Sequence, residues 1–456
     1  ADEPTLRTFY TSMYHASIHP SLFTDVNGEY RGLDNRIHKA EGWTNYTVFS
    51  LWDTFRALHP LMTLTDPGIV DDLVKSMMAH YEQSDRGMLP IWSFYNNDTD
   101  CMIGYHSVPV IADAYLKGLT QADPTQLLEA MVSSATVKKF RGMGLYMDKG
   151  YVPQDKEKDA TSKTLEYAYD DWCIAKMAEV LGDKQQASNF FKRSQNYRNV
   201  FDPKTGFMRA KSNDGTWREP FDPLAYHHTD AKGKRARDFT EANAWQYNWF
   251  VPHDLSGLIG LMGGPDAFTA RLDEFFNPPS IDNHKPARDA SGLVGIYAQG
   301  NEPGHHVPYL YNFSGRPWKT QEILHRIMSE HFTDTPEGIP GNEDCGQMSA
   351  WYIFSALGFY PVNPCGGIYV IGKPALSKAE IKMPGGKKFT VTAADVNDKN
   401  IYIQSATLNG QELDRAWLTH DEILAGGTLA FVMGPEPNEK WASENPEIPV
   451  SSESKR

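Results

Sequence analysis

The sequence predicts a mainly α-helical domain followed by a small antiparallel β domain. Up to about residue 365, apolar side chains recur at spacings of three and four, which is the period of amphipathic helices. After Pro364, short stretches alternate between the two faces of a strand, and Gly, Asn and Asp separate them. We therefore expect a helical domain over 1–365, a β domain over 366–440 and a tail over 441–456. The tail is rich in Glu, Ser and Pro, which predicts loose order.

The helical pattern divides into about a dozen segments. Those with the clearest apolar faces are 47–61, 70–82, 105–118, 124–132, 162–181, 184–199, 253–262, 266–276, 303–311 and 318–330. Such a set fits an irregular bundle, a helical solenoid or a closed double ring of helices, although the chain lacks the usual repeat periods of a solenoid. Because function concentrates on loops held by a rigid scaffold, the long loops are candidate site regions; they cover 84–104, 145–161, 201–241 and 278–290.

The β domain is predicted from five short runs of β-branched and aromatic residues. They cover 368–371, 379–383, 388–393, 401–405 and 428–433. Each run is short enough for one strand of a small sheet, and turn residues lie between them.

Composition excludes several classes of partner. The 456 residues carry a net charge of −14, which argues against nucleic acid and against an anionic membrane surface. An apolar run of about 18 residues is missing from the sequence, so we expect no membrane span. The four cysteines lie far apart, in neither a zinc-binding pair nor a disulfide framework. The start at Ala1, without an apolar signal region, is typical of a processed or excised piece.

The clearest candidate for chemistry is the stretch 341–352, in which Glu343 and Asp344 lie between glycines ahead of a helical pattern. A carboxylate at that position meets the positive end of the helix dipole and stays ionised, as a general base or a cation ligand requires. The alternative is an acidic N-terminal cap on an ordinary helix.

Three further groups of polar residues precede or lie within predicted helices. Glu241 is followed by an aromatic run, and a carboxyl group among aromatic rings suits a general acid. Asn301 and Glu302 offer oxygen ligands to a hard cation. Asp170 and Asp171 precede Trp172, a combination typical of sugar contacts. The plain alternatives are helix-end acids and ordinary packing.

Taken together, these groups point to glycoside hydrolysis. The sequence combines several carboxylates and tryptophans with no serine-nucleophile elbow, P-loop or dinucleotide fingerprint. In that reaction Glu241 would protonate the leaving oxygen, and Asp344 would activate water on the opposite face of the sugar.

At this level of detail the chain resembles glycoside hydrolase family 92. The stretches that carry the resemblance are TEANAWQY, WFVPHD, GNEPGHHVPYLYN, SKTLEYAYDDW and GNEDCGQMSAWYIFSALG, and the similarity extends to about residue 435. The resemblance implies an (α/α)6 barrel and a calcium-dependent, inverting, exo-acting α-mannosidase that acts on N-glycans or mannans. It also implies Glu241 as the general acid and Asp344 as the general base.

The resemblance further implies a set of binding residues. Candidate calcium ligands are Gln246, Asn301, Glu302 and Asp344. Candidate substrate contacts are Trp52, Asp53, Asp170, Asp171, Glu302, His305 and Asn342. One departure concerns Asn342, because many members have Asp two residues before the base.

The resemblance also bears on partners and location. Members carry an N-terminal β-sandwich domain that this chain does not contain, and they act in the periplasm, at the cell surface or outside the cell. Two alternatives stay open: another inverting (α/α)6 glycosidase of the α-glucosidase or trehalase type, and a non-catalytic glycan-binding subunit.

Overall fold

The structure is a computed structural model, and it describes residues 2–229, 235–279, 290–444 and 446–451. Its α-helices are α1 (Glu3–Ala16), α2 (Leu51–Thr54), α3 (Leu58–Thr65), α4 (Pro67–Gln83), α5 (Ser107–Leu116), α6 (Pro124–Ser134), α7 (Met143–Lys149), α8 (Ala160–Val180), α9 (Lys184–Ser194), α10 (Ala244–Tyr247), α11 (Leu255–Leu261), α12 (Pro265–Phe276), α13 (Pro317–His331), α14 (Gln347–Leu357) and α15 (His420–Leu424). The chain is therefore mainly helical up to residue 357. Short 3-10 helices cover Gln195–Val200, Glu302–Gly304, Val307–Ser314, Pro364–Gly366 and Pro384–Gly386.

Most predicted helices are present, with several differences. Helix α7 was not predicted and extends into the predicted loop 145–161. The pattern over 303–311 forms 3-10 turns instead of an α-helix, and proline lies in the first turn of each. The segment 47–61 has strand residues up to Ser50 and is then divided into α2 and α3, with residues 55–57 between them. The sequence reading missed α1, whose cap is the Asp2 side chain accepting from Thr5 N.

Helix α8 is the centre of the helical part. Its residues from Ala160 to Ala175 are all buried, and it packs against α5, α6 and α9. A helix buried on every side cannot solvate its acidic side chains, so Glu166, Asp170 and Asp171 must find partners inside the protein.

Short strands connect the helices and build the last part of the chain. They are β1 (Ser21–Leu22), β2 (Glu29–Arg31), β3 (Ile37–Lys39), β4 (Tyr46–Thr47), β5 (Phe49–Ser50), β6 (Trp92–Phe94), β7 (Asn97–Asp98), β8 (Phe201–Asp202), β9 (Phe207–Met208), β10 (His228–Thr229), β11 (Arg235–Ala236), β12 (Leu293–Val294), β13 (Tyr297–Ala298), β14 (Phe359–Tyr360), β15 (Ile368–Ile371), β16 (Lys378–Lys382), β17 (Lys388–Ala394), β18 (Tyr402–Leu408), β19 (Gln411–Glu412), β20 (Trp417–Thr419) and β21 (Gly427–Gly434). All five strands predicted after Pro364 are present.

The prediction that the β domain is antiparallel is wrong for its larger sheet, which contains both parallel and antiparallel pairs. Its order is β16-β17-β21-β18-β19, and β17 pairs with β21 in parallel from Phe389 opposite Gly427 to Ala394 opposite Val432. The alternating pattern sets which side chains face the core but not the direction of the neighbouring strand. A second sheet, β14-β15-β20, is antiparallel throughout.

One large hydrophobic cluster joins the helical part to both of these sheets. The predicted loose tail contributes to it, since Trp441, Ala442 and Ile448 are buried and the Trp441 indole donates to Leu413 O at 2.8 Å. Tail residues 445 and 452–456 lie outside the described residues. So does the predicted loop 278–290, apart from its first two residues and its last.

Candidate active site

Three carboxylates from distant parts of the chain meet in one cluster. Asp53 lies on α2, Glu302 begins a 3-10 turn, and Asp344 lies in the loop before α14. One oxygen from each lies within 4.8 Å of the others. Like charges at that separation repel strongly, so the cluster needs protons or a cation to be stable.

Asp53 shows how strong this mutual repulsion is. Its side chain is buried, and the Ser50 hydroxyl donates to Oδ2. Burial raises the pKa of Asp53 well above its usual range, and the charges of Asp344 and Glu241 raise it further. Glu241 therefore lies within electrostatic reach of the cluster.

Glu302 is the most deeply buried member of the cluster. Burial raises the pKa of Glu302 well above its usual range, followed by the charges of Asp53 and Asp344. Its Oε1 atom is buried without a hydrogen-bond partner among the described residues. A buried acidic cluster with an orphaned oxygen fits a hard divalent cation, which prefers carboxylate oxygens. Its ligand set contains neither His nor Cys, and zinc is accordingly disfavoured.

Glu343 and Asp344, in the loop before α14, have different roles, which the sequence did not distinguish. Glu343 is the helix cap: its carboxylate accepts from Ser349 N at 2.9 Å and from Ser349 Oγ at 2.7 Å. Asp344 is instead a member of the cluster. Its φ of 45° and that of Cys345, 57°, are left-handed values, so the chain turns after Glu343 and ahead of α14.

Gly346 allows this loop to pack closely. Its φ is 99°, and a Cβ there would lie 3.0 Å from Ala16 Cα on α1. A side chain at this position would therefore push the loop away from α1 and move Asp344.

Glu241 approaches the cluster from a fourth segment, just before α10. Its side chain is half-buried and its φ is 54°. Cys101 is exposed. Burial of its thiol, followed by the charges of Asp53 and Glu241, raises the pKa of that thiol.

A buried hydrogen-bond network on α8 connects the segments that carry the cluster and Glu241. Glu166 accepts from the Trp52 indole at 3.0 Å and from the Tyr247 hydroxyl at 2.8 Å. Its other oxygen lies 3.0 Å from His106 Nε2. Glu166 thus joins α2, which carries Asp53, to α10, which follows Glu241. Our sequence reading missed it; the signal was an acid among the apolar positions of 162–181.

Asp170 and Asp171 belong to the same network, and their oxygens are used by partners inside the protein, so the predicted sugar contacts at both have no support from their surroundings. Each has 0% exposure. Asp170 lies 2.7 Å from His106 Nδ1, and Asp171 accepts from the Tyr105 and Tyr146 hydroxyls, each at 2.8 Å. Burial alone would lower the pKa of His106, but Asp170 and Glu166 outweigh it and raise this pKa to about 9.

His305 has structural partners as well, and its predicted sugar contact stays a prediction. It is fully buried, and burial lowers its pKa to about 3, so the ring is neutral. Its Nε2 lies 2.9 Å from Gln299 O, and its Nδ1 accepts from Gln347 Nε2 at 3.1 Å. The Oε1 atom of Gln347 in turn accepts from Ala57 N and Leu58 N, which begins α3.

The other predicted binding residues are placed as follows. The Gln246 amide forms a capping box with Asn243 and donates to Tyr226 Oη at 3.1 Å, and its role as a cation ligand stays a prediction. Asn301 Nδ2 donates to Glu241 O at 2.9 Å. Trp52 is buried, with its indole N–H bonded to Glu166, and Asn342 is exposed.

The cluster and Glu241 therefore bring four carboxyl groups into one region of the protein. Comparisons with known proteins identify the family of the domain. Residues 1–435 match the glycosyl hydrolase family 92 catalytic domain. An uncharacterized secreted glycosidase of the fungus Arthroderma benhamiae is 30% identical, over 98% of this chain and 55% of its own length.

Two solved bacterial structures are similar over 99% of this chain. One is a family 92 α-mannosidase of Bacteroides thetaiotaomicron in complex with mannoimidazole, with a TM-score of 0.94 and 46% identity over 59% of its length. The other is a family 92 inverting mannosidase of the same organism, with a TM-score of 0.88 and 38% identity over 62% of its length. The chain thus spans little more than half the length of these relatives.

The fold and the carboxylate site define a glycoside hydrolase catalytic domain. The chain belongs to glycosyl hydrolase family 92, as its sequence motifs predict. No helix among the described residues combines the length and the hydropathy that a bilayer crossing requires.

Proposed function

We propose that the chain is the catalytic part of an exo-acting α-mannosidase that hydrolyses terminal α-mannosides of N-glycans or mannans with inversion. The observation that carries the proposal is the meeting of Asp53, Glu302 and Asp344 beside Glu241. Its support is the likeness to an α-mannosidase solved with mannoimidazole.

In this reaction Glu241 and Asp344 take opposite roles. Glu241 donates a proton to the glycosidic oxygen as the bond from that oxygen to the anomeric carbon breaks. Asp344 accepts a proton from the water molecule whose oxygen bonds to that carbon from the other face.

The cation that we propose is Ca²⁺, held by Asp53, Glu302 and Asp344. Three carboxylates and the orphaned Glu302 Oε1 are donors of the kind that calcium prefers. The ion would supply a charge that binds two sugar hydroxyls and favours a distorted ring. We therefore assign Asp53 to the ion site as well as to the predicted substrate contacts, and Gln246 and Asn301 stay candidate ligands through their side-chain oxygens.

We also propose the domain organisation that the family implies. The helices of 1–365 would form an (α/α)6 barrel, with the β domain over 366–440 and a tail over 441–456. An N-terminal β-sandwich domain would complete the enzyme. Secretion is supported by the fungal relative, which is described as secreted.

The test is mannose release from α-1,2-mannobiose by the purified chain, before EDTA, after EDTA and after calcium is restored. We expect loss with EDTA and recovery with calcium, and Glu241→Gln should lower the rate by about 10²–10⁴-fold because it removes the general acid. The matched control is Glu343→Gln, which changes the neighbouring helix cap. Turnover that ignores EDTA would contradict the calcium role.

A substrate panel separates the alternatives. Release from α-glucosides but not from α-mannosides would favour another inverting glycosidase. Sugar binding without product, by a folded chain joined to its N-terminal domain, would favour a non-catalytic glycan-binding subunit.

A further inference from the structure

The backbone at Glu241 has a conformation that needs support from the rest of the protein. Its φ of 54° lies in the left-handed region, which residues with a side chain rarely adopt without such support. The direction of the Glu241 carboxyl group depends on this value, because the Cα–Cβ bond turns with the backbone. Whatever holds the backbone therefore also aims the carboxyl group.

Two side chains hold the backbone on either side of Glu241. The Ser162 hydroxyl accepts from Thr240 N at 2.9 Å, and Asn301 Nδ2 donates to Glu241 O at 2.9 Å. Both side chains are buried, which restricts the access of water to these two bonds. The next turn is fixed as well, since Asn243 begins α10 with a capping box.

Asn301 is the more informative of the two anchors because of its neighbour in the chain. Glu302, the next residue, belongs to the acidic cluster. The bond from Asn301 to Glu241 therefore ties the segment that carries the cluster to the segment that carries the proposed acid. These segments are 60 residues apart in the sequence.

We propose that Asn301 is a positioning residue for Glu241: its amide N–H holds the left-handed backbone and aims the carboxyl group at the leaving oxygen. This inference rests on the proposed function, because it assumes that Glu241 is the general acid. The sequence had suggested a different role for Asn301, that of a calcium ligand through its side-chain oxygen. The two roles require different atoms of the same amide, so substitutions can separate them.

The experiment compares two substrates that differ in their need for an acid. In α-1,2-mannobiose the leaving sugar must be protonated, whereas α-mannosyl fluoride releases an anion that leaves without strong acid assistance. Asn301→Ala and Asn301→Asp both remove the N–H donor, and only Asn301→Asp keeps an oxygen that could bind calcium. Asn363→Ala is the matched control, since Asn363 is equally buried and donates to Val450 O at 3.0 Å.

We expect both Asn301 variants to lower kcat/KM on the disaccharide at least about tenfold more than on the fluoride, since misplacing a general acid forfeits part of a contribution of about 10²–10⁴-fold. Ser162→Ala should show the same selective loss, and Asn363→Ala should not. Equal losses on both substrates would overturn the inference, and so would an Asn301→Asp variant with normal selectivity.

The two proposals fail in different ways. A wild-type protein that cleaves neither substrate, with its N-terminal domain present, contradicts the proposed function itself. A wild-type protein that cleaves both, with Asn301 variants that lose no selectivity for the fluoride, contradicts only the positioning role.

Discussion

The cation site makes a quantitative prediction for the substitution Glu302→Gln. With an effective dielectric constant of about 20, two like charges 4.8 Å apart repel by about 3.5 kcal/mol. Glu302 takes part in two of the three pairs in the cluster, so neutralising it relieves about 7 kcal/mol in the calcium-free protein if all three groups are ionised. Separations shorter than 4.8 Å increase this value, and proton uptake by the cluster decreases it.

The same substitution should remove the response to calcium. At a concentration 100 times its dissociation constant, calcium stabilises the wild-type protein by about 2.7 kcal/mol. We therefore expect calcium to raise the Tm of the wild type by a few degrees. Glu302→Gln should instead have a higher Tm without calcium and little or no calcium-induced shift.

The assay is thermal unfolding after EDTA treatment, with and without added calcium, at pH 7. Asp113→Asn is the matched control, because Asp113 is equally buried but lies 2.7 Å from Lys117 Nζ. Neutralising Asp113 leaves a buried lysine unpaired, so this variant should lose stability and keep its calcium shift. A Glu302→Gln protein that is less stable without calcium and still responds to the ion would refute the reasoning.

Two further predictions concern the surroundings of the site. His106 has a pKa of about 9 in the folded protein against 6.5 as its ordinary value, so its stabilising charge is fully present below pH 6.5 and is lost as the pH rises through 9. The wild type should therefore have a higher Tm than His106→Gln, and this difference should shrink between pH 6.5 and about 10. The loss corresponds to roughly 3 kcal/mol of unfolding free energy. A Tm difference that does not depend on pH would contradict a charged His106. Gly300→Ala should destabilise the protein by about 3 kcal/mol, the upper end of the usual cost of overpacking. The reason is that a Cβ at this position would lie 2.1 Å from Pro340 O. A normal Tm for this variant would contradict the close approach.

The parts of the fold that were predictable are those set by local pattern. The strands after Pro364 and most helices follow from spacing alone, since side-chain periodicity is a local property. The parallel pairing of β17 with β21 and the division of 47–61 into two helices depend on distant segments. In the second case the Gln347 side chain caps α3 from about 290 residues away.

The site was predictable as a set of segments and only partly as a set of atoms. The motif around Asp344 was recognisable, but only the left-handed turn shows that Glu343 caps the helix while Asp344 joins the cluster. Asp170 and Asp171 beside Trp172 had the composition of a sugar contact. A buried ion network has the same composition, and burial all around α8 is what distinguishes the two.

The bond between Gln347 and the start of α3 also has a consequence for biosynthesis. Ala57 and Gln347 are 290 residues apart, and Asp53 and Asp344 are separated by a similar length. At about 5–20 residues per second, a ribosome needs about 15–60 s between the two. During that time the nascent chain carries α2 and α3 without their partners, so the whole hydrolytic centre becomes complete only when synthesis has passed α14.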